Sequence, residues 1–225
     1  MSVEKDIDSG NEWVDRWHSG KTGFHQDDFN AFLIKQWAVL SPDTRSTVLV
    51  PLCGKSRDMN WLHQRGHRVV GVELVEMACR AFFEEQSLPY ECIESGGVLR
   101  FEGREAGEGM TILCADLFSL TKDDIGPIEA WYDRAAIVAL PPALWEKYAS
   151  WVAAMLPSGG VGLMMTFAYP QDERDGPPFS VRVSDVDQHF GARFSVDLVD
   201  RVDLTAGNRW NLSSVHKPVI HLRRR

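Results

Sequence analysis

Short continuous apolar runs along this chain alternate with segments spaced for one face of a helix, the pattern of an α/β fold with a buried, mostly parallel sheet. The first run, Val48-Leu49-Val50, predicts a strand that stops at Pro51. From Lys55 the spacing turns helical, with Met59 and Leu62 on one side and Arg57, Asp58 and Gln64 elsewhere. Residues 67–73 predict a second buried strand, and 74–86 a helix that buries Met77, Ala78, Ala81 and Phe82. A short strand at 89–94 leads into a Gly- and Glu-rich excursion, 95–109, in which Val98-Leu99-Arg100-Phe101 reads as a hairpin arm. Further strands are expected at 110–114, 128–133 and 161–167. A helix at 143–155 turns Leu144, Tyr148, Trp151 and Leu156 inward.

The two ends depart from this rhythm. Residues 1–8 read as a frayed polar tail. Ser9 with Glu12 makes a capping-box pattern for a helix carrying Trp13, Val14 and Trp17. Gly20 to Gly23 breaks that helix, and a second, 28–40, presents Phe29, Phe32, Leu33, Trp37 and Leu40 on one face. This aromatic-rich start is either a packing cap or a lid over a pocket mouth. At the other end, 172–178 is a charged Pro/Gly loop just past a strand end, where α/β proteins bind ligands. Residues 184–190 form a short helix. Residues 194–204 and 213–222 alternate apolar and polar positions around a turn at 206–208, which makes an antiparallel pair at a sheet edge.

Strand, Gly54 turn and helix form the opening of a nucleotide-binding α/β unit, and Glu73 ends the second strand. An acid there is placed to accept hydrogen bonds from ribose hydroxyls. An ordinary βαβ unit with Glu73 as a solvated strand end fits the spacing equally well. Gly54-Lys55-Ser56 imitates a Walker A ending, but Leu49 stands where that loop needs its first glycine. A dinucleotide fingerprint needs spaced glycines, and Gly54 stands alone. A ligand with a ribose and no phosphates, such as S-adenosylmethionine, suits this turn better than NAD.

At 225 residues the chain suits a single domain, 1–225, with a helical cap or lid at 1–40 and the α/β core at 41–225. A formal charge of -8 argues against a nucleic-acid surface, because phosphate binding relies on Lys and Arg. Cys53, Cys79, Cys92 and Cys114 lack CxxC pairing and sit in or beside apolar segments, so they read as reduced core thiols with no metal site. With no signal peptide and no apolar run long enough to span a membrane, the expectation is a cytoplasmic monomer.

Six stretches carry a family resemblance. They are Trp13-Val14-Asp15-Arg16-Trp17, Gly23-Phe24-His25-Gln26, Val50-Pro51-Leu52-Cys53-Gly54-Lys55-Ser56, Gly71-Val72-Glu73-Leu74, Tyr132-Asp133-Arg134-Ala135-Ala136 and Gly176-Pro177-Pro178-Phe179. In this order they resemble the thiopurine S-methyltransferase family, its bacterial branch in particular, over residues 11–222. The resemblance implies a class I methyltransferase (Rossmann-like) fold, with a seven-stranded, mostly parallel sheet, an antiparallel last strand and helices on both faces. It implies S-adenosyl-L-methionine as cofactor, held by Trp17, Leu52, Glu73 and Arg134. Strand order adds Asp116 and Leu117 beside the adenine. His25, Gln26 and Arg134 are the expected acceptor-side residues. A surface ion pair with Asp133 or a neighbour is the other reading of Arg134.

The implied acceptors are small aromatic or heterocyclic thiols such as thiopurines, and selenium or tellurium species. Reaction would be in-line displacement by a thiolate, with no metal and an optional base for which His25, Asp27 and Asp28 stand nearest in sequence. Two rivals remain from other classes. A nicotinamide-dependent oxidoreductase is disfavoured by the missing glycines. A non-catalytic protein that binds the cofactor or a chalcogen compound is separated from an enzyme by turnover alone.

Overall fold

A computed structural model describes residues 9–23, 25–40, 42–43 and 45–225. The tail read at 1–8 and the Ser9 side-chain cap lie outside the described residues. In chain order the elements are α1 (Ser9–His18), α2 (Ala31–Leu40), β1 (Thr47–Pro51), α3 (Asp58–Gln64), β2 (Arg68–Glu73) and α4 (Glu76–Glu85). Next come β3 (Tyr90–Ser95), β4 (Val98–Gly103), β5 (Met110–Cys114), α5 (Lys122–Ile125), β6 (Ala130–Asp133), α6 (Ala136–Ala139) and α7 (Trp145–Met155). The chain closes with β7 (Val161–Met165), α8 (Val183–Phe190), β8 (Phe194–Asp203) and β9 (His216–Arg224).

One sheet runs in the order β3-β4-β5-β2-β1-β6-β7-β9-β8. β5, β2, β1, β6 and β7 are parallel neighbours, and β9 inserts antiparallel between β7 and β8. The chain leaves β1 toward β2 and β5, then crosses back to β6, so the order reverses between β1 and β6. Ligands of open α/β sheets bind at such a point, outside the carboxyl ends of the strands.

Alternation along β1 divides the core. Val48 and Val50 face a cluster with Leu33 and Trp37 of α2, Leu62 of α3 and Phe82 of α4. Leu49 faces the other layer, with Trp131, Ile137, Tyr148 and Phe190. Gly162 lies under Trp131, where an added Cβ would meet the indole at 2.4 Å, so the bulk of Trp131 requires that glycine.

The expected seven-stranded sheet has nine strands. The added pair is the excursion after α4, where β3 and β4 form a complete hairpin rather than one strand and a loose arm. Gly96 and Gly97, with φ of +61° and +79°, make the two-residue turn that a tight hairpin needs. α2 starts later than the apolar pattern indicates, because the Asn30 side chain accepts from the amides of Phe32 (3.0 Å) and Leu33 (3.4 Å) and caps it. In α4 the buried face is Ala78, Cys79, Phe82 and Phe83, and Met77 is exposed. Trp145 is buried in α7, whereas Leu144 and Trp151 are only half-buried. Cys92, read as a core thiol, is exposed on β3, and Cys114 is half-buried.

Candidate active site

A cavity of about 1190 Å³ opens at the carboxyl ends of β1, β2, β5 and β6. Its walls include Trp17, His25, Gln26, Leu52, Glu73, Asp116, Leu117 and Arg134, so the eight residues expected beside cofactor or acceptor come to one place. Asp27 and Asp28 are exposed and do not line it.

The β1 turn is built around Glu73. Leu52 and Gly54 both adopt left-handed backbone, with φ of +46° and +52°. A non-glycine residue in that region costs about 1 kcal/mol, so surrounding contacts must hold Leu52 there. Glu73 Oε2 accepts from the Gly54 amide at 2.8 Å and Oε1 from the Val75 amide at 2.9 Å, which staples the β1 turn to the start of α4. The carboxylate is buried, not a solvated strand end, and burial raises its pKa while the two amides pull it back. Trp17 is 7% exposed and packs against Val75 and Ala78. Its indole lies 3.2 Å from where a Gly54 Cβ would be, so Gly54 supplies both the turn and the room for Trp17.

Past β5, Asp116 Oδ1 accepts from the Phe118 amide at 2.8 Å, fixing a turn that brings buried Leu117 against the cavity. Past β6, Arg134 is no surface pair with Asp133. Its Nε lies 3.1 Å from Asp58 Oδ2 in α3, and its side chain is 13% exposed. Asp58 also accepts from the Asn30 amide and the Tyr132 hydroxyl, both at 2.8 Å, so one buried carboxylate ties α2, α3 and β6 around the guanidinium. Asp133 turns the other way. It accepts from Tyr148 (2.7 Å) and from the Ala136 amide (2.9 Å), and burial pushes its pKa up to about 6. His25 is held below its usual pKa, first by burial and then by Lys55, and Gln26 accepts from Asn30 Nδ2 at 3.3 Å.

The walls of the same cavity also include Phe32, Phe167, Arg174, Pro177, Pro178, Trp210 and Lys217, and ring contacts joining Lys217 to Phe32 and Phe167, and Trp210 to Phe167 and Arg174, make of them a second, aromatic lobe. The charged loop after β7 does reach a binding mouth, through Arg174 and two prolines preceded by cis peptides. Arg174 lies 5.2 Å over the Trp210 ring, and Trp210 packs edge-on to Phe167 at 5.2 Å. Arg209 donates to the Gly23 carbonyl at 3.0 Å and so joins the loop after β8 to the loop after α1. The sequence reading reaches Arg174 only through its loop, 172–178, and does not place Lys217, Phe167 or Trp210 in the site. One signal was available for Lys217, since strand alternation puts it on the same face as Val215 and Val219, both buried. Basic residues outnumber acidic ones around the cavity, against the net charge of -8 for the whole chain.

Residues 8–225 match the family model described as thiopurine S-methyltransferase. The chain belongs to the thiopurine S-methyltransferase family. Curated relatives include the thiopurine S-methyltransferase of Xanthomonas campestris pv. campestris (strain 8004), 43% identical over 85% of this chain and 86% of that one. That of Pseudomonas fluorescens (strain Pf0-1) is 40% identical over 88% of each. Among solved structures, the magnesium protoporphyrin IX methyltransferase of Synechocystis PCC 6803 with bound SAM superposes with a TM-score of 0.65 at 14% identity, covering 99% of this chain and 100% of that one. The Burkholderia thailandensis 1,6-didemethyltoxoflavin-N1-methyltransferase gives 0.63 at 18% identity, over 96% and 86%. These two show the shared fold. Family membership makes this chain an S-adenosylmethionine-dependent methyltransferase. No helix among the described residues is long and apolar enough to cross a membrane.

Proposed function

We propose that the protein methylates the sulfur of small aromatic or heterocyclic thiols of the thiopurine kind, and related selenium or tellurium species, in the cytoplasm. The observation that carries this reading is that the aromatic and proline side chains Phe32, Phe167, Trp210, Pro177 and Pro178 line one cavity together with Arg134 and the Glu73 turn. A flat, polarisable, partly anionic acceptor suits those walls. When bound, S-adenosylmethionine supplies an electrophilic methyl on its sulfonium. In this reading Glu73 accepts from the ribose hydroxyls with the lone pairs its two amide bonds leave over. Leu52 and Trp17 supply apolar surface beside the Gly54 turn, Asp116 and Leu117 border the adenine, and Arg134 stands between the two lobes. His25 and Gln26 border the acceptor. Holding both reactants in line supplies about 7–11 kcal/mol of the barrier. An acidic thiol arrives ionised, so the chain needs no dedicated base. The four cysteines are all free, which supports a reducing compartment.

The test is release of S-adenosylhomocysteine with a panel of a thiopurine, thiophenols, an alkyl thiol, selenite and tellurite. Turnover with the aromatic thiols above the alkyl thiol is expected. Cofactor binding with no turnover on any acceptor would overturn the reading in favour of a binding protein.

A further inference from the structure

Lys217 stands in β9 with its ammonium 5.7 Å from the ring centroids of both Phe32 and Phe167, inside the second lobe. No carboxylate of a described residue lies within ion-pair distance of it. A lysine surrounded by aromatic rings has lost much of its water and gained only the modest attraction of ring faces. Burial is the main cause that lowers its pKa to about 8, the Arg134 charge lowers it further, and only Asp58 opposes them. Asp58 is already engaged with Arg134, Tyr132 and the Asn30 amide. Asp203, another acid of the cavity lining, has its carboxylate bonded to the Thr205 amide at 2.8 Å. A protonated amine in such a place gains most from an anion that enters with a ligand.

We infer that Lys217 is the acceptor-binding residue that pairs with the anionic sulfur of the incoming thiol and favours its ionised form in the lobe. The geometry gives the two cations different work. Arg134 is fixed by Asp58 at 3.1 Å and donates to Ser56 Oγ at 3.4 Å, so its guanidinium serves as a rigid wall. Lys217 is a point charge on a flexible stem between two rings, able to follow a sulfur atom whose ring slides between them. As the thiol binds, its S–H bond breaks and the proton leaves to the buffer; the thiolate and the ammonium then form a neutral pair, the positive charge lost from the pair being that of the released proton. The selectivity that follows is for acceptors whose sulfur ionises near neutral pH, and against alkyl thiols, which keep their protons.

This inference rests on the proposed thiol chemistry, so its test separates the two. Thiophenol is bound to the complex with S-adenosylhomocysteine, which has no methyl to give, and the thiolate absorption band is followed against pH. With the native chain the bound thiol should ionise at least one pH unit below free thiophenol. Lys217→Met should abolish that shift and raise the thiophenol Kd tenfold or more, with S-adenosylhomocysteine affinity unchanged. Lys217→Arg should restore most of the shift, as a structural role for the stem alone would not. An equal shift in the Met variant, or a native complex whose bound thiophenol ionises as it does free, overturns the Lys217 assignment. Failure of the methyl-transfer reading is visible elsewhere, as absent S-adenosylhomocysteine release from S-adenosylmethionine while the absorption shift persists.

Discussion

Glu73 bonds the Gly54 and Val75 amides through different oxygens, so its carboxylate builds the turn with one pair of contacts and has acceptor sites left for a ligand. Glu73→Gln keeps the shape but turns one acceptor into a donor aimed at an amide N–H. Calorimetry should show S-adenosylhomocysteine binding weakened by about 1.5–3 kcal/mol, with a cooperative melt retained. An unchanged affinity would take Glu73 out of the cofactor site. Asp133 gives a second test, read in stability. Its pKa rises from 3.8 to about 6 on folding, chiefly through burial. A carboxyl with a raised folded pKa favours folding fully below 3.8, and that contribution is lost as pH rises through about 6. The net shift corresponds to about 3 kcal/mol at 1.36 kcal/mol per unit, the bonds from Tyr148 and Ala136 having already offset part of the burial. Urea unfolding between pH 4 and 6.5 should therefore show a decline in native stability that Asp133→Asn flattens, and parallel curves would refute it. The positions of both acids were legible, since each ends an apolar run. Their burial was not, because it depends on which amides the following turn folds back over them. The Arg134 partner was equally hidden, for Asp58 sits in a helix whose polar positions read as solvent-facing.

At the scale of elements, the aromatic start of the chain divides into two parts that its sequence makes look alike. α2 belongs to the core. Leu33, Trp37 and Leu40 are buried, and Trp37 Nε1 lies 3.0 Å from His67 Nε2. α1 meets the body through a small cluster of Trp17, Val75 and Ala78 with Trp13 and Val14 at its margin. The loop after it is held by Arg209 on the Gly23 carbonyl and Arg57 on the Asp27 carbonyl. Apolar spacing alone cannot separate the two helices, because both carry tryptophans and only the second finds a sheet beneath it. We expect α1 with its loop to be the moving part, closing over the cofactor and excluding water. Hydrogen exchange over residues 10–30 should slow when S-adenosylhomocysteine is added. A chain starting at residue 27 should melt cooperatively without turning over substrate. Slow exchange before ligand, or a truncated chain that does not fold, would make α1 a fixed layer as well.

For the whole molecule, the parallel strands β1, β2, β5, β6 and β7 were legible as short continuous apolar runs. Two features were not. The closing hairpin told which strands pair, but not that β9 rather than β8 lies against β7. The hairpin of β3 and β4 extends the sheet at its other edge, beyond what the turn chemistry of 95–109 alone discloses. Both edges bear on assembly, since an open strand invites a second copy. β3 is exposed along most of its length and carries Glu91 and Glu94. β8 exposes Leu198 and Val199, yet its register slips between Leu198 and Asp200. Two copies meeting antiparallel along β8 in the register centred on Asp200 would set Asp200 against Asp200 and Asp197 against Asp203. Like charges facing across strands are destabilising, and the bulge removes the flat ladder such a pair requires. We therefore expect a monomer. Sedimentation equilibrium should return a mass of 25.4 kDa across a hundredfold range of concentration, at low salt as well as high. A mass near twice that value would refute the edge argument. A dimer that appeared only at high salt would instead show that charge, more than the bulge, keeps the β8 edge unpaired.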